Sequence, residues 1–366
     1  MLAALSRSHI ARRAGLGAAR RSARIPCFIG CGWCAPPWIT EVLFERWVPR
    51  HPPQGTAAAR LIAAAGGLPA IVDRALGAYL GLALGDALGA TVEFMTVGEI
   101  ERQYGVHRRI LGGGWLRLKP GQVTDDTTLS LALGDALCGP APGAAHDLVA
   151  VADAFVAWWR GRPVDCGNTC RRGIRRYLLD GSLSGPLQDG DAGNGAAMRV
   201  LPAALATLGD PDGFAALALG QARITHHHPL SDSATLELGA LAQALVLGER
   251  SAAIETRIAD WTDRMPAFRF APYPGRASAY VVDTVQTVLH AYTRHAGFEE
   301  AVVAAVNCGD DADTTGAIVG MLAGARGGVH ALPPAWLQRL QPDVRQAVSD
   351  QASALVAHAF QSMGPA

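Results

Sequence analysis

Apolar residues along this chain recur at three- and four-residue spacing far more often than they alternate, a pattern that suits helices with one buried face rather than strands. The spacing predicts helices over 71–90, 127–138, 145–160, 167–180, 196–208, 213–225, 231–247, 278–295, 298–307 and 315–328. Residues 108–123, with the run Gly112-Gly113-Gly114-Trp115, break the pattern and predict an irregular loop. Two of the helices carry glycine at every fourth position, at 77, 81, 85 and 89 in one and at 316, 320, 324 and 328 in the other. Each glycine costs about 1 kcal/mol of helix propensity. A stripe of them is compensated only where another backbone approaches closely, as small residues allow between membrane helices. Two central helices packed against each other are therefore expected. The apolar stretch 71–94 is interrupted by Asp73, Arg74 and Asp86, so no transmembrane segment is expected.

The expected fold class is all-α, with a single compact domain over 71–347 and a C-terminal helix or tail over 348–366. Residues 1–70 differ in composition. Positions 1–40 hold six arginines and no Asp or Glu, and residues 1–25 are rich in Ala, Arg and Ser without a clean apolar core for a secretory signal. A disordered N-terminal extension is expected there. At 49% hydrophobic residues the 366-residue chain can build a sizeable core. Its formal net charge is zero, so no global field favours nucleic acid or anionic lipid. Cysteines at 27, 31, 34, 138, 166, 170 and 308 form no disulfide framework and fit a reducing cytoplasm. Cys27-x3-Cys31-x2-Cys34 lacks a second ligand pair at zinc-site spacing.

Candidate chemistry lies in two acidic clusters, each opening a helix. One is Thr124-Asp125-Asp126-Thr127 and the other is Asp310-Asp311-Ala312-Asp313-Thr314-Thr315. A helix start uses one or two side-chain oxygens as a cap. Five carboxylates and four hydroxyls exceed that need, and hard oxygen donors in surplus suit one or two Mg²⁺ or Mn²⁺ ions. Close packing of the glycine helices would bring the second cluster to Glu93, which follows the first helix. Gly112–Trp115 and Gly193-Asn194-Gly195 suit close approach by a diphosphate, and plain loops explain them equally well. Arg199 fits a phosphate partner or a structural arginine. His226-His227-His228 reads as a polar helix turn, because no thiolate or nearby acid completes a zinc site.

These residues fall into ordered motifs. They run through Gly81-Leu-Ala-Leu-Gly-Asp-Ala-Leu-Gly-Ala-Thr-Val-Glu93-Phe, Gly113-Gly114-Trp115 and Val123-Thr-Asp-Asp-Thr127. They continue through Arg162-Pro-Val-Asp165-Cys-Gly-Asn168-Thr, Asp191-Ala-Gly-Asn194-Gly195-Ala-Ala-Met-Arg199, Thr225-His226 and Gly309-Asp-Asp-Ala-Asp-Thr-Thr315. The chain resembles the ADP-ribosylglycohydrolase family over about residues 71–345, and within it the bacterial dinitrogenase reductase-activating members. The resemblance implies an all-α domain with a dinuclear metal cleft that removes ADP-ribose from a protein arginine. It implies two divalent ions, Mn²⁺ or Mg²⁺, held by Thr124, Asp125, Asp126, Asp311, Asp313 and Thr314. It implies Asp165 as acid/base with Glu93 as the competing candidate. The substrate would lie against Asn168, Gly113, Gly114, Asn194, Gly195 and His226. The implied partners are an ADP-ribosylated protein, foremost the nitrogenase iron protein, and a PII-type signal protein, in the cytoplasm with reversible membrane association through a partner. The competing expectations are another ADP-ribosylated substrate (serine, a DNA base or a free ADP-ribosyl compound), a silent crystallin-like binding protein, and a dinuclear phosphoesterase. The silent protein would show gaps among the ligands, and the phosphoesterase would carry histidine ligands; neither feature is present in the two clusters.

Overall fold

The structure is a computed structural model that describes residues 55–139 and 147–363. The Cys27–Cys34 motif and most of the expected extension lie outside the described residues. The described helices run α1 Ala57–Ala64, α2 Leu68–Gly89, α3 Val97–Tyr104, α4 Asp125–Leu137 and α5 Leu148–Arg160. They continue as α6 Asn168–Asp180, α7 Leu201–Ala206, α8 Pro211–Arg223, α9 Pro229–Val246 and α10 Ser251–Arg264. The last are α11 Val281–Arg294, α12 Phe298–Val306, α13 Ala312–Gly327, α14 Pro334–Arg339 and α15 Pro342–Ser362. Among the described residues there is no strand, only isolated bridges Gly113–Leu118 and Gly193–Tyr280. The all-α expectation holds.

At the centre lie α2 and α13, side by side. Their glycine stripes interlock in antiparallel register. Gly77 faces Gly324 and Gly328, Gly81 faces Gly320, Gly85 faces Gly316, and Gly89 faces Ala312. A Cβ built on Gly81, Gly85, Gly316 or Gly320 would overlap backbone atoms of the opposite helix. The lost propensity is thus offset by backbone-to-backbone packing that no other residue permits. One described helix, α2, is long and apolar enough to cross a membrane, but most of that stretch is buried inside the fold. Asp86 is buried within it and fully hydrogen-bonded.

Gly85→Ala is expected to destabilise the fold. The gain in helix propensity of about 1 kcal/mol is outweighed by overpacking, which costs about 1–3 kcal/mol and more where backbone blocks the new methyl. Gly98 on α3 is the control. Its Cβ would sit 3.5 Å from the end of the Arg102 side chain, so Gly98→Ala should leave stability unchanged or slightly higher. Chemical denaturation of the two variants tests this. Equal stability would show that the two central helices can move apart at no cost.

Several elements differ from the periodicity. Only 201–206 of the expected 196–208 is helical, since Asn194–Val200 forms turns closed by Ala197 N–H to Asn194 O at 2.9 Å. Helix α3 is short, with Ile100 its only buried residue, and is defined instead by a capping box between Thr96 and Glu99. Helix α10 buries only Ile254, Ile258, Trp261 and Thr262.

Helices run across both expected boundaries, at 70 and at 347. Within 1–70, residues 57–64 form α1, capped by Thr56, and Arg74 donates to Ala65 O at 2.7 Å. The expected boundary at 347 falls inside α15, which packs along α2. Gln351 of α15 accepts from Tyr79 Oη at 2.5 Å and donates to Leu131 O and Asp135, tying α2, α4 and α15 together.

Candidate active site

The antiparallel register of α2 and α13 sets the site. It brings the start of α13, with Asp311, Asp313 and Thr314, beside the end of α2, beyond which lies Glu93. Helix α4 is docked onto the same point by Asp86. That carboxylate accepts from Thr124 N at 3.0 Å, Thr127 N at 3.1 Å and Thr127 Oγ1 at 2.5 Å, so it caps α4 from another helix. Asp125 and Asp126 then meet the second cluster. Thr314 Oγ1 donates to Asp126 Oδ2 at 3.2 Å, and Thr124 Oγ1 donates to the same oxygen at 3.3 Å. Asn194 donates to Asp311 and to Thr284 Oγ1, and Gly167 N donates to Asp125 Oδ2 at 3.2 Å.

The carboxylate oxygens outnumber the donors. One carboxylate oxygen each from Glu93, Asp311 and Asp313 lie within 4.8 Å of one another, and all three residues are buried. Asp126 Oδ1 is buried with no hydrogen-bond partner. No Lys or Arg forms an ion pair with these acids among the described residues. A buried orphan carboxylate oxygen among oxygen-only donors fits a hard divalent cation. The residues present therefore fit a metal.

Burial drives the electrostatics. It pushes Asp126 and Asp313 well above the usual carboxylate range, and neighbouring acids push them further. Glu93 is raised to about 8 by burial, then by Asp165, Asp311 and Asp125, against the pull of the Trp115 indole N–H. Asp125 is raised to about 7 by burial and Asp165. Asp311 is raised to about 6 by burial despite its Asn194 bond, and Asp86 to about 6 despite the Thr124 and Thr127 donors. Asp165 is raised by burial, with Cys166 N–H at 2.7 Å opposing.

Above the acids opens a cleft of about 540 Å³. Asp165, Asn168, Asn194, Gly195 and His226 line it together with Glu93, Asp125, Asp126, Asp311, Asp313 and Thr314. Thr124 is fully buried behind them. Gly113 and Gly114 do not line the cleft. They have positive φ, and Gly114 lies so close to Ala90 O that a Cβ would overlap it, so this loop serves to seat Trp115. Trp115 donates to Glu93 Oε2 at 2.7 Å and packs on Phe94 at 5.3 Å on the rim.

The open question over Arg199 is decided by burial. Its guanidinium is fully buried, donates to Gln221 Oε1 and O, Gly195 O and Thr225 Oγ1, and lies over the Phe155 ring. It builds the wall and has no face left for a phosphate. His226 is buried and held well below its usual range by burial and Arg199, hence neutral, with Nδ1 2.8 Å from Thr225 Oγ1. His227 bonds Gly185 O and His228 caps α9, so the three histidines do not converge. Asp86 and Trp115 stand within the sequence motifs, but sequence reasoning assigned neither side chain a role in the site. The available signal for Asp86 was a lone carboxylate inside an apolar glycine helix.

The model of the ADP-ribosylglycohydrolase family matches residues 68–364. The chain belongs to the ADP-ribosylglycohydrolase family. It is 54% identical over 289 residues to the ADP-ribosyl-[dinitrogen reductase] glycohydrolase of Rhodospirillum rubrum, covering 79% of this chain and 97% of that protein. It is 33% identical to the ADP-ribosylarginine hydrolase Tri1 of Pseudomonas putida, over 74% of each chain. A solved structure described as an ADP-ribosylglycohydrolase-related protein complex superposes with TM-score 0.70 at 35% identity, covering 80% of this chain and all of that one. The glycohydrolase match spans α2 to α15, so the last helix lies within the family domain.

Proposed function

We propose that this glycohydrolase releases ADP-ribose from a modified arginine of a target protein, with dinitrogenase reductase as the leading target. The carrying observation is the buried, oxygen-only acidic centre beneath a cleft that also holds Asp165 and Asn168. The names of the 54% and 33% identical relatives support arginine as the modified residue.

Two Mn²⁺ or Mg²⁺ ions would be held by Asp125, Asp126, Asp311 and Asp313, with Thr124 and Thr314 as neutral oxygens. When bound, such ions orient vicinal hydroxyls and lower the pKa of a bound water. The chain's own residues do the rest. Asn194 orients Asp311, Thr314 orients Asp126, and Asp86 holds the start of α4 in register. The bond from the ribose C1 to the guanidinium nitrogen breaks through an oxocarbenium-like state. Asp165, raised by burial and standing at the cleft wall, exchanges the proton between attacking water and leaving nitrogen. Glu93, held by the Trp115 indole, is the competing proton carrier. The resemblance extends the proposal to control by a PII-type signal protein, with cytoplasmic location and membrane association through such a partner.

The test is release of free ADP-ribose from arginine-modified dinitrogenase reductase by metal-stripped protein, with and without added Mn²⁺. Release that requires Mn²⁺, with little from serine-linked ADP-ribose, is expected. Preferential release from serine, or full activity after exhaustive chelation, would overturn the assignment.

A further inference from the structure

A cluster of positive charge beside the cleft takes no part in the chemistry proposed above. Arg160, Arg162, Arg171, Arg172 and Arg175 are all exposed, in a chain whose formal net charge is zero. Helix α6 begins in the cleft, where Asn168 and Arg171 line the wall. Positions 168, 172, 175 and 179 share one helix face, flanked by 171 and 178. The opposite face, with Cys170, Gly173 and Ile174, is buried. The exposed stripe therefore runs outward from the rim for about 16 Å. It ends on Leu178 and Leu179, which are 38% and 83% exposed.

Two of the five charges are engaged locally, Arg171 with Asn168 and Arg172 with Asp191. Arg160, Arg162 and Arg175 form no ion pair among the described residues. The acid that closes the stripe, Asp180, accepts from Ser182 N at 2.8 Å. Val164, 40% exposed, adds an apolar point next to Asp165. Arginine is the charged residue enriched at protein interfaces and among their hot spots.

A cleft of about 540 Å³ is sized for one small-molecule group. The stripe extends past it along the exposed face of α6. We propose that the exposed face of α6, with Arg160 at the end of α5 and the 161–164 loop, docks an acidic surface of the protein carrying the modified arginine, beside that ADP-ribosylated arginine. The inference rests on the arginine-linked hydrolysis proposed above. It adds a reason for preferring a protein substrate to a free ADP-ribosyl compound, because attraction between unlike surfaces raises the encounter rate.

The experiment compares two substrates, ADP-ribosylated dinitrogenase reductase and free ADP-ribosyl-arginine. The double variant Arg162→Glu/Arg175→Glu alters neither the acidic centre nor a cleft-lining residue. Its kcat/KM on the modified protein should fall by about tenfold or more at low salt, since rim charges act mainly on association. Turnover of ADP-ribosyl-arginine should change by less than about twofold, because exposed substitutions away from a site have small effects. Wild-type kcat/KM on the protein should decline as salt rises from about 50 to about 300 mM, and the double variant should flatten that decline. Leu179→Ala should weaken only the protein reaction. Equal losses on both substrates would place these arginines on the ADP-ribose itself and overturn the docking surface. No loss on either would do the same. If wild-type protein hydrolyses neither substrate, the arginine-linked activity fails first, and that outcome is distinct from a variant that matches wild type on both.

Discussion

Asp126→Ala should abolish divalent-cation binding and lower kcat/KM by about 10³-fold or more, the equivalent of several kcal/mol of lost charge stabilisation. Asp126 is the pivot of the centre. Its Oδ2 accepts from both Thr124 and Thr314, one from each cluster, and its Oδ1 is buried without a partner. Metal content by mass spectrometry and hydrolysis rate should fall together. A variant that keeps its metal and its rate would remove Asp126 from the ligand set. Stability gives a second readout that needs no substrate. Glu93, raised to about 8, and Asp125, raised to about 7, bind protons more tightly folded than unfolded. Stability of metal-free protein must then fall as pH rises from about 4 towards 8, because the native state holds protons that the unfolded chain has released. Added Mn²⁺ should restore the melting temperature most at the high end of that window and little near pH 4. In Asp126→Ala the rescue should vanish. Rescue of equal size at both ends would mean that the cation binds elsewhere.

Asp165→Asn should separate proton transfer from binding. The change keeps the shape of the side chain and its bond from Cys166 N–H, and it removes the titrating group. Proton transfer by a positioned side chain contributes about 10²–10⁴-fold, so kcat should fall by that amount. KM should move far less, since Asn194, Gly195 and the acidic centre are untouched. Metal content should stay near that of the wild type. Loss of metal would make Asp165 a ligand or a support for one, and would move the acid/base role to Glu93. An unchanged kcat with unchanged metal would leave Asp165 as the turn residue ahead of α6.

Of the two residues with the largest expected effects, Asp126 was legible from its chemistry and Asp165 only through the family resemblance. Oxygen donors in excess of any capping need stand out without coordinates, as at Asp125-Asp126 and Asp311-Ala312-Asp313. The interlock of α2 and α13 was legible too, since glycine at every fourth position has no use except close backbone approach. Helices α3 and α10 were not, because one buries a single residue and the other only four among mostly polar neighbours, so too few apolar residues mark either segment. The same loop chemistry fitted two roles at Gly113 and Gly114. Only the tertiary structure separates them: the cleft is lined by Trp115 and by neither glycine, and Gly114 is packed against Ala90 O.

The sequence by itself therefore determined the helical class, the paired glycine helices and the inventory of acids, because each depends on spacing and side-chain type along one segment. Tertiary structure alone decided which of those groups meet. Arg199 could face a phosphate or the core until Gln221, Thr225 and Phe155 enclosed it. Asp86 was one acid in an apolar helix until it accepted the first N–H groups of α4, 38 residues further along the chain. A buried polar group takes its role from the partners that satisfy it, and those partners come from segments whose proximity no local pattern encodes.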